Sequence, residues 1–215
     1  MKHFAVVCAS VAVFALFFAP ACFAQLSDLE QKALHEEAAK IANNAGLGED
    51  DLYRNLGFLY MAKQAERAAQ NAAHPVEAKH QHLRAVVYEI AADASLKVAF
   101  TLKTAKELIA ALEKEHKATN NKVLSPEMSH RVNAVGGAAT DALLTVAQLS
   151  SAMIELASFE AVQECNAQKS GYLVRCSEDL QLAVNQIDIA LEILKKSVAP
   201  FASAAILSGT KRFTY

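Results

Sequence analysis

Apolar residues recur every three or four positions along most of the chain, the spacing of a helix with one buried face. The longest stripe is Leu83, Val87, Ile90, Ala94, Val98, Thr101, Ala105, Leu108 and Leu112, with no glycine or proline inside it. About 40 helical residues at 1.5 Å each span about 60 Å, beyond the width of a compact small domain. A second stripe runs through Val132, Val135, Ala139, Leu143, Val146, Leu149, Met153 and Leu156. A third runs through Leu180, Val184, Ile187, Leu191, Leu194 and Val198. Leu182, Ile189 and Ile193 give this last helix a second apolar face, which predicts a place deep inside the fold.

The breaks between stripes carry their own signals. Ser27-Asp28-Leu29-Glu30 is a capping box that opens a short helix to about Asn43. The run Asn43 to Gly48 tolerates left-handed backbone and ends it. Glu49, Asp50 and Asp51 suit the positive end of a second helix, which should reach about Ala73. His74-Pro75 interrupts there, because proline lacks the amide and disfavours a helical residue before it. After a polar turn from Lys117 to Leu124, Ser125-Pro126 restarts a helix with a good cap and proline in the first turn. Gly136-Gly137 weakens that helix by about 1 kcal/mol per glycine relative to alanine, and reads as close backbone packing or a kink. The stretch Cys165 to Cys176, with Asn166 and Gly171 inside it, reads as a turn, Ser177 as the next cap and Pro200 as the end. Long helices joined by short turns pack antiparallel. The expectation is an all-α fold: an elongated antiparallel bundle of three to four long helices plus a short N-terminal one, over residues 25–199, with coiled-coil-like seams. Ala65, Ala68, Ala69 and Ala72 allow close helix approach at those seams.

Composition agrees and narrows the class. Hydrophobic residues make up 53% and charged residues 20%, which excludes a disordered tail protein. With 7 Gly, 4 Pro and no Trp, an all-β sandwich is excluded as well. The net charge of -2 gives no pull toward nucleic acid, and no nucleic-acid partner is expected.

The first residues read as an address. Met1-Lys2-His3 is a positive head, Phe4 to Phe18 is apolar, and small residues follow. We place the cut of a secretory signal peptide over 1–24 after Ala24, with Cys22 and Ala24 at positions -3 and -1. An uncleaved anchor would need a longer run, about 20 residues. A lipoprotein with Cys22 acylated after Ala19-Pro20-Ala21 has a proline in an unfavourable place. The chain is therefore expected to be secreted or at the cell surface, or periplasmic if bacterial, with membrane attachment left open. No Asn-x-Ser/Thr acceptor occurs. In the apolar tail, residues 200–215, Phe201, Ile206 and Leu207 are expected to pack on the bundle.

After that cut the cysteines are Cys165 and Cys176. In an exported chain this pair predicts one disulfide, worth about 3 kcal/mol through the unfolded state, stapling the tip of a helical hairpin. The alternative, a redox or metal pair, favours tighter spacing such as Cys-x-x-Cys. Tyr172, Leu173 and Val174, in the expected head loop, are candidate binding residues.

Three Glu-x-x-His pairs occur, Glu77/His80, Glu113/His116 and Glu127/His130. This spacing puts both side chains on one helix face, and di-iron bundles use two such pairs. Glu113, His116, Glu127 and His130 are the metal candidates, since they flank one turn. Their place at helix ends, beside Lys114, Lys117 and Lys122, argues for solvated or capping side chains instead. There is no haem-attachment motif, phosphate loop, nucleophile elbow or zinc helix. We expect no enzyme activity and no cofactor.

The alanine-studded run Tyr60 to Ala69 precedes the longest helix, and a disulfide-stapled hairpin is expected after it. This combination resembles the alanine-rich helical surface proteins of trypanosomes, the class of variant surface glycoproteins and glutamic acid/alanine-rich proteins. The resemblance is one of style over most of the mature chain. It implies a coat, receptor or host-facing role with no catalytic residues, and a protein or small ligand of unknown identity. The alternatives are a periplasmic bundle with a ferritin-like metal site or a chaperone-like cleft, and self-association through the long stripe.

Overall fold

The computed structural model describes residue 23 and residues 26–118, 124–160 and 167–198. The expected leader, apart from Phe23, lies outside these residues, as do Cys165 and the tail 200–215. The fold is all-α. Helices run over Asp28–Ala45 (α1), Glu49–Asn71 (α2), Pro75–Ala118 (α3), Pro126–Glu160 (α4) and Ala167–Val198 (α5). No strand occurs among the described residues.

Local chemistry sets the helix ends. The Ser27 hydroxyl accepts from the Glu30 amide at 3.4 Å, while the Ser27 amide donates to Glu30 Oε2 at 2.8 Å, closing the capping box. Gly46 ends α1 at φ 62°, where its amide reaches the Ala42 carbonyl at 2.9 Å. Three carboxylates open α2, and Asp51 also holds Arg54 at 2.5 Å. Pro75 and Pro126 each occupy the first turn of a helix, and Ser125 caps α4 through the Met128 amide at 3.1 Å.

Helix α3 has 44 residues, about 66 Å of rise. Seven of its nine predicted stripe positions are buried, Val87, Ala94, Val98, Thr101, Ala105, Leu108 and Leu112, and Leu83 and Ile90 are half-buried. Three clusters follow one another along it. The first joins Val87 to Ala99 with α2, with Ala152 to Leu156 of α4 and with Leu173 to Leu180 of α5. The next joins Val98 with Ala142, Ile187 and Leu191. The last joins Ala105 and Leu108 with Val135, Ala138, Ala190 and Leu194. Residue numbers thus rise together on α3 and α5 while they fall on α4. Helix α1 packs chiefly on α2.

Several buried polar side chains find their partners locally or across one interface. Thr101 and Thr145 donate to carbonyls one turn back, those of Lys97 and Asp141, at 2.8 and 3.0 Å. Asn55, buried on α2, donates to the Ala92 carbonyl of α3 at 2.7 Å. Lys97 bridges Asp93 at 3.0 Å and Asp188 at 2.7 Å, joining α3 to α5. Burial pulls the Lys97 ammonium down, but hydrogen bonds to Asp188 and Asp93 outweigh it, and the net direction is up.

Three expectations need correction. The segment read as a turn before Ser177 is helix from Ala167 onward, because Leu173, Cys176 and Leu180 continue the buried spacing of α5 and outweigh the cost of Gly171. Tyr172, Leu173 and Val174 therefore form a helical turn, not a head loop. Leu182, Ile189 and Ile193 do not lie deep in the fold; they are 55%, 63% and 47% exposed. The reason is that α5 already buries Ala183, Val184, Ile187, Ala190, Leu191 and Leu194 toward α3 and α4, which leaves its far side exposed among the described residues.

Candidate functional site

Three surface features carry chemistry. The first is a cleft of about 270 Å³ where α1 and α2 meet the start of α3. Tyr60 of α2 donates its hydroxyl to Glu30 Oε1 on α1, and Gln64 donates to the Tyr60 oxygen at 2.8 Å. The Arg84 guanidinium donates to Gln81 at 2.8 Å on the opposite wall. The Ser27 hydroxyl, then the Tyr60 hydroxyl and the Ser27 amide, lower the Glu30 carboxyl to about 2. That hydrogen bond to Glu30 is also the main reason the Tyr60 phenol is raised. Glu30 is thus a fixed acceptor, not a proton donor, at neutral pH. Its oxygens are committed to the helix cap and to Tyr60.

The second is an apolar groove of about 510 Å³ beside the end of α3 and the first turns of α4. Leu108, Ala111, Leu112, Ala118 and Val135 line it, with Glu115 and Arg131 among its polar groups. Arg131 ties the two helices, reaching Glu127 at 2.6 Å and Glu115 at 3.7 Å. A concavity of this size lies within the range of small-ligand sites.

The metal candidates flank the same end but are not gathered. Glu113, Glu127 and His130 are exposed and His116 is half-buried. The inward positions are taken by Leu112, Met128 and Val135. The Glu127 carboxylate is engaged by Arg131. Among the described residues no group of three or more His, Cys, Asp or Glu side chains could hold a metal ion. Of the remaining pair, His80 is buried and Glu77 exposed, while His82 lies 3.0 Å from Glu66 of α2.

The third feature is the outward stripe Leu182, Ile189 and Ile193 on α5, spaced by seven and four residues. Such spacing keeps the three side chains on one face over about three turns. Near the other end of α5, Leu173 is buried, Tyr172 half-buried beneath the Arg175 guanidinium, and Val174 exposed. Cys176 is buried, its sulfur 3.9 Å from the Ala152 carbonyl oxygen of α4.

Sequence reasoning placed Leu108, Leu112 and Val135 in the core but not as walls of a groove. Periodicity tells which residues face inward, not where the layer they face stops. The Glu30–Tyr60 contact spans 30 positions, and no local pattern signals it.

Comparison of the chain with protein families, with curated proteins and with solved structures finds no match. No helix among the described residues is long and apolar enough to cross a membrane.

Proposed function

We propose that the chain is an exported, non-enzymatic protein, an elongated antiparallel helical bundle that works by binding or shielding at a cell surface. The observation that carries this is the exposed apolar stripe on α5, since aligned outward apolar side chains mark interaction surfaces. The leader-like start and the resemblance to trypanosome surface proteins support the location. The test is antibody labelling of intact cells, combined with sedimentation of the native protein and of an L182K/I189K/I193K variant. The expected result is surface labelling, with a bound partner or second copy that the variant loses. An internal protein whose sedimentation the variant leaves unchanged would sink the proposal.

Export carries with it a Cys165–Cys176 disulfide. Such a bridge requires the first turn of α5 to open, because Ala167 and Cys176 lie about 14 Å apart along the helix axis and bridged Cα atoms lie within about 7 Å. Alkylation without reductant reads it: no label on either cysteine means a bridge, label on both means thiols.

A second reading is a periplasmic bundle with a chaperone-like cleft, favoured by the apolar groove between α3 and α4. A Leu112→Glu variant that abolishes uptake of an apolar dye would support it. Titration with Fe(II) separates this form from a ferritin-like one.

A further inference from the structure

We infer that Phe23 stays in the mature protein, and that the leader is cut after Ala21. This rests on the exported reading above. Phe23 is 2% exposed and ranks among the largest fully buried side chains. Its ring meets Tyr53 edge-on at 5.6 Å and Phe58 at 5.3 Å, both on α2. Between those two aromatics α2 carries Gly57, and a Cβ there would come within 2.6 Å of two Phe23 ring atoms. The helix therefore leaves a notch, and the ring fills it.

The backbone is fastened as well. The Phe23 carbonyl accepts from the Leu26 amide at 2.9 Å and from the Gln31 side chain at 3.4 Å, and Gln31 also donates to the Leu26 carbonyl at 3.0 Å. This turn runs directly into the Ser27 capping box and lays Leu26, itself buried, against the core. Hydrolysis of the peptide bond after Ala24 would release the ring and the turn together. It would leave the Gly57 notch, with Tyr53 and Phe58 beside it, open to water, an exposure that burial of a Phe exists to avoid.

The peptidase requirement does not oppose the upstream cut. Small residues are needed at -3 and -1, and Ala19-Pro20-Ala21 provides alanine at both. Two positions satisfy the enzyme, and only the one after Ala21 preserves the packed turn. The mature chain then begins at Cys22, and its cysteines are Cys22, Cys165 and Cys176, an odd number that leaves one for chemistry outside a single intrachain bridge.

The experiment is intact-mass and N-terminal fragment analysis of the protein purified from the cells that make it. A chain starting at Cys22, bare or carrying extra mass on that residue, is the expected result. A chain starting at Gln25 would overturn the inference while leaving export intact. A chain starting at Met1 and found inside the cell would overturn export and the inference with it.

Discussion

Replacing Gly57 by alanine should have an effect whose sign depends on Phe23. A methyl group at position 57 would come within 2.6 Å of Cε1 and Cζ of the Phe23 ring and 3.1 Å of Cδ1. Ring or helix must move. Overpacking of this kind costs about 1–3 kcal/mol, and a ring driven out altogether forfeits about 3–5 kcal/mol. Against this, alanine for glycine inside a helix gains about 1 kcal/mol. With Phe23 in place, Gly57→Ala is therefore expected to lower stability by up to about 2 kcal/mol if the ring shifts and by about 2–4 kcal/mol if it is driven out. In a Phe23→Ala background the three nearest obstacles are gone, and the same change should raise stability by about 0.5–1 kcal/mol. The helix gain is common to both backgrounds, so the coupling between the two sites is the clash cost itself, at least about 1 kcal/mol and above the few tenths expected of independent positions. Urea denaturation of all members of the cycle, followed by far-ultraviolet circular dichroism, measures it. Equal effects of Gly57→Ala in both backgrounds would refute the seating of Phe23 on α2, and with it the premise for the processing site.

Other outcomes follow from the same packing. Ile187→Ala, at a fully buried position between Val98 and Leu191, should cost about 2–5 kcal/mol in urea denaturation, while Ile189→Ala, two residues on, should stay within about 0.5 kcal/mol. The Glu30 carboxyl, lowered from 4.5 to about 2, contributes stability that is present above the unfolded value and lost as pH falls through the folded one. Carbon-detected NMR titration should place its midpoint near 2, and Ser27→Ala should move it up toward 4.5. Lys97 titrates above its ordinary value, so its contribution is complete below pH 10.5 and disappears as pH rises through the folded value. Asp188→Asn should lower stability by about 0.5–1 kcal/mol at neutral pH, since the pair is partly exposed, and should flatten the alkaline limb of the pH–stability curve.

The fold was legible wherever local chemistry decides it. The capping box at Ser27, the left-handed Gly46 and the prolines at 75 and 126 mark helix ends by covalent geometry and short-range hydrogen bonds. Burial along α3 followed from spacing because one stripe meets one continuous set of neighbours. At α5 the same reasoning went wrong twice. Gly171 looked like punctuation, yet its cost is small beside the burial of Leu173, Cys176 and Leu180 on the following turns. Leu182, Ile189 and Ile193 looked like core, yet whether a second apolar face is covered depends on how many helices surround it, a property no single helix encodes. Phe23 was hidden for a different reason. Its surroundings in the sequence are those of a leader, and its partners Tyr53, Gly57 and Phe58 lie some 30 positions away.

The contact between Lys97 and Asp188 joins positions 91 residues apart, whereas α1, α2 and the first half of α3 find one another within short stretches of chain. Low-contact-order pieces form early and distant pairings form late. As the polypeptide emerges from the ribosome, the α2–α3 hairpin is able to close while α5 is still unmade. Throughout that interval Val98, Ala105 and Leu108 present one sticky edge, the surface that α4 and then α5 will later cover. The nascent chain is most exposed to aggregation then, and a chaperone that holds it would have its longest dwell on the second half of α3.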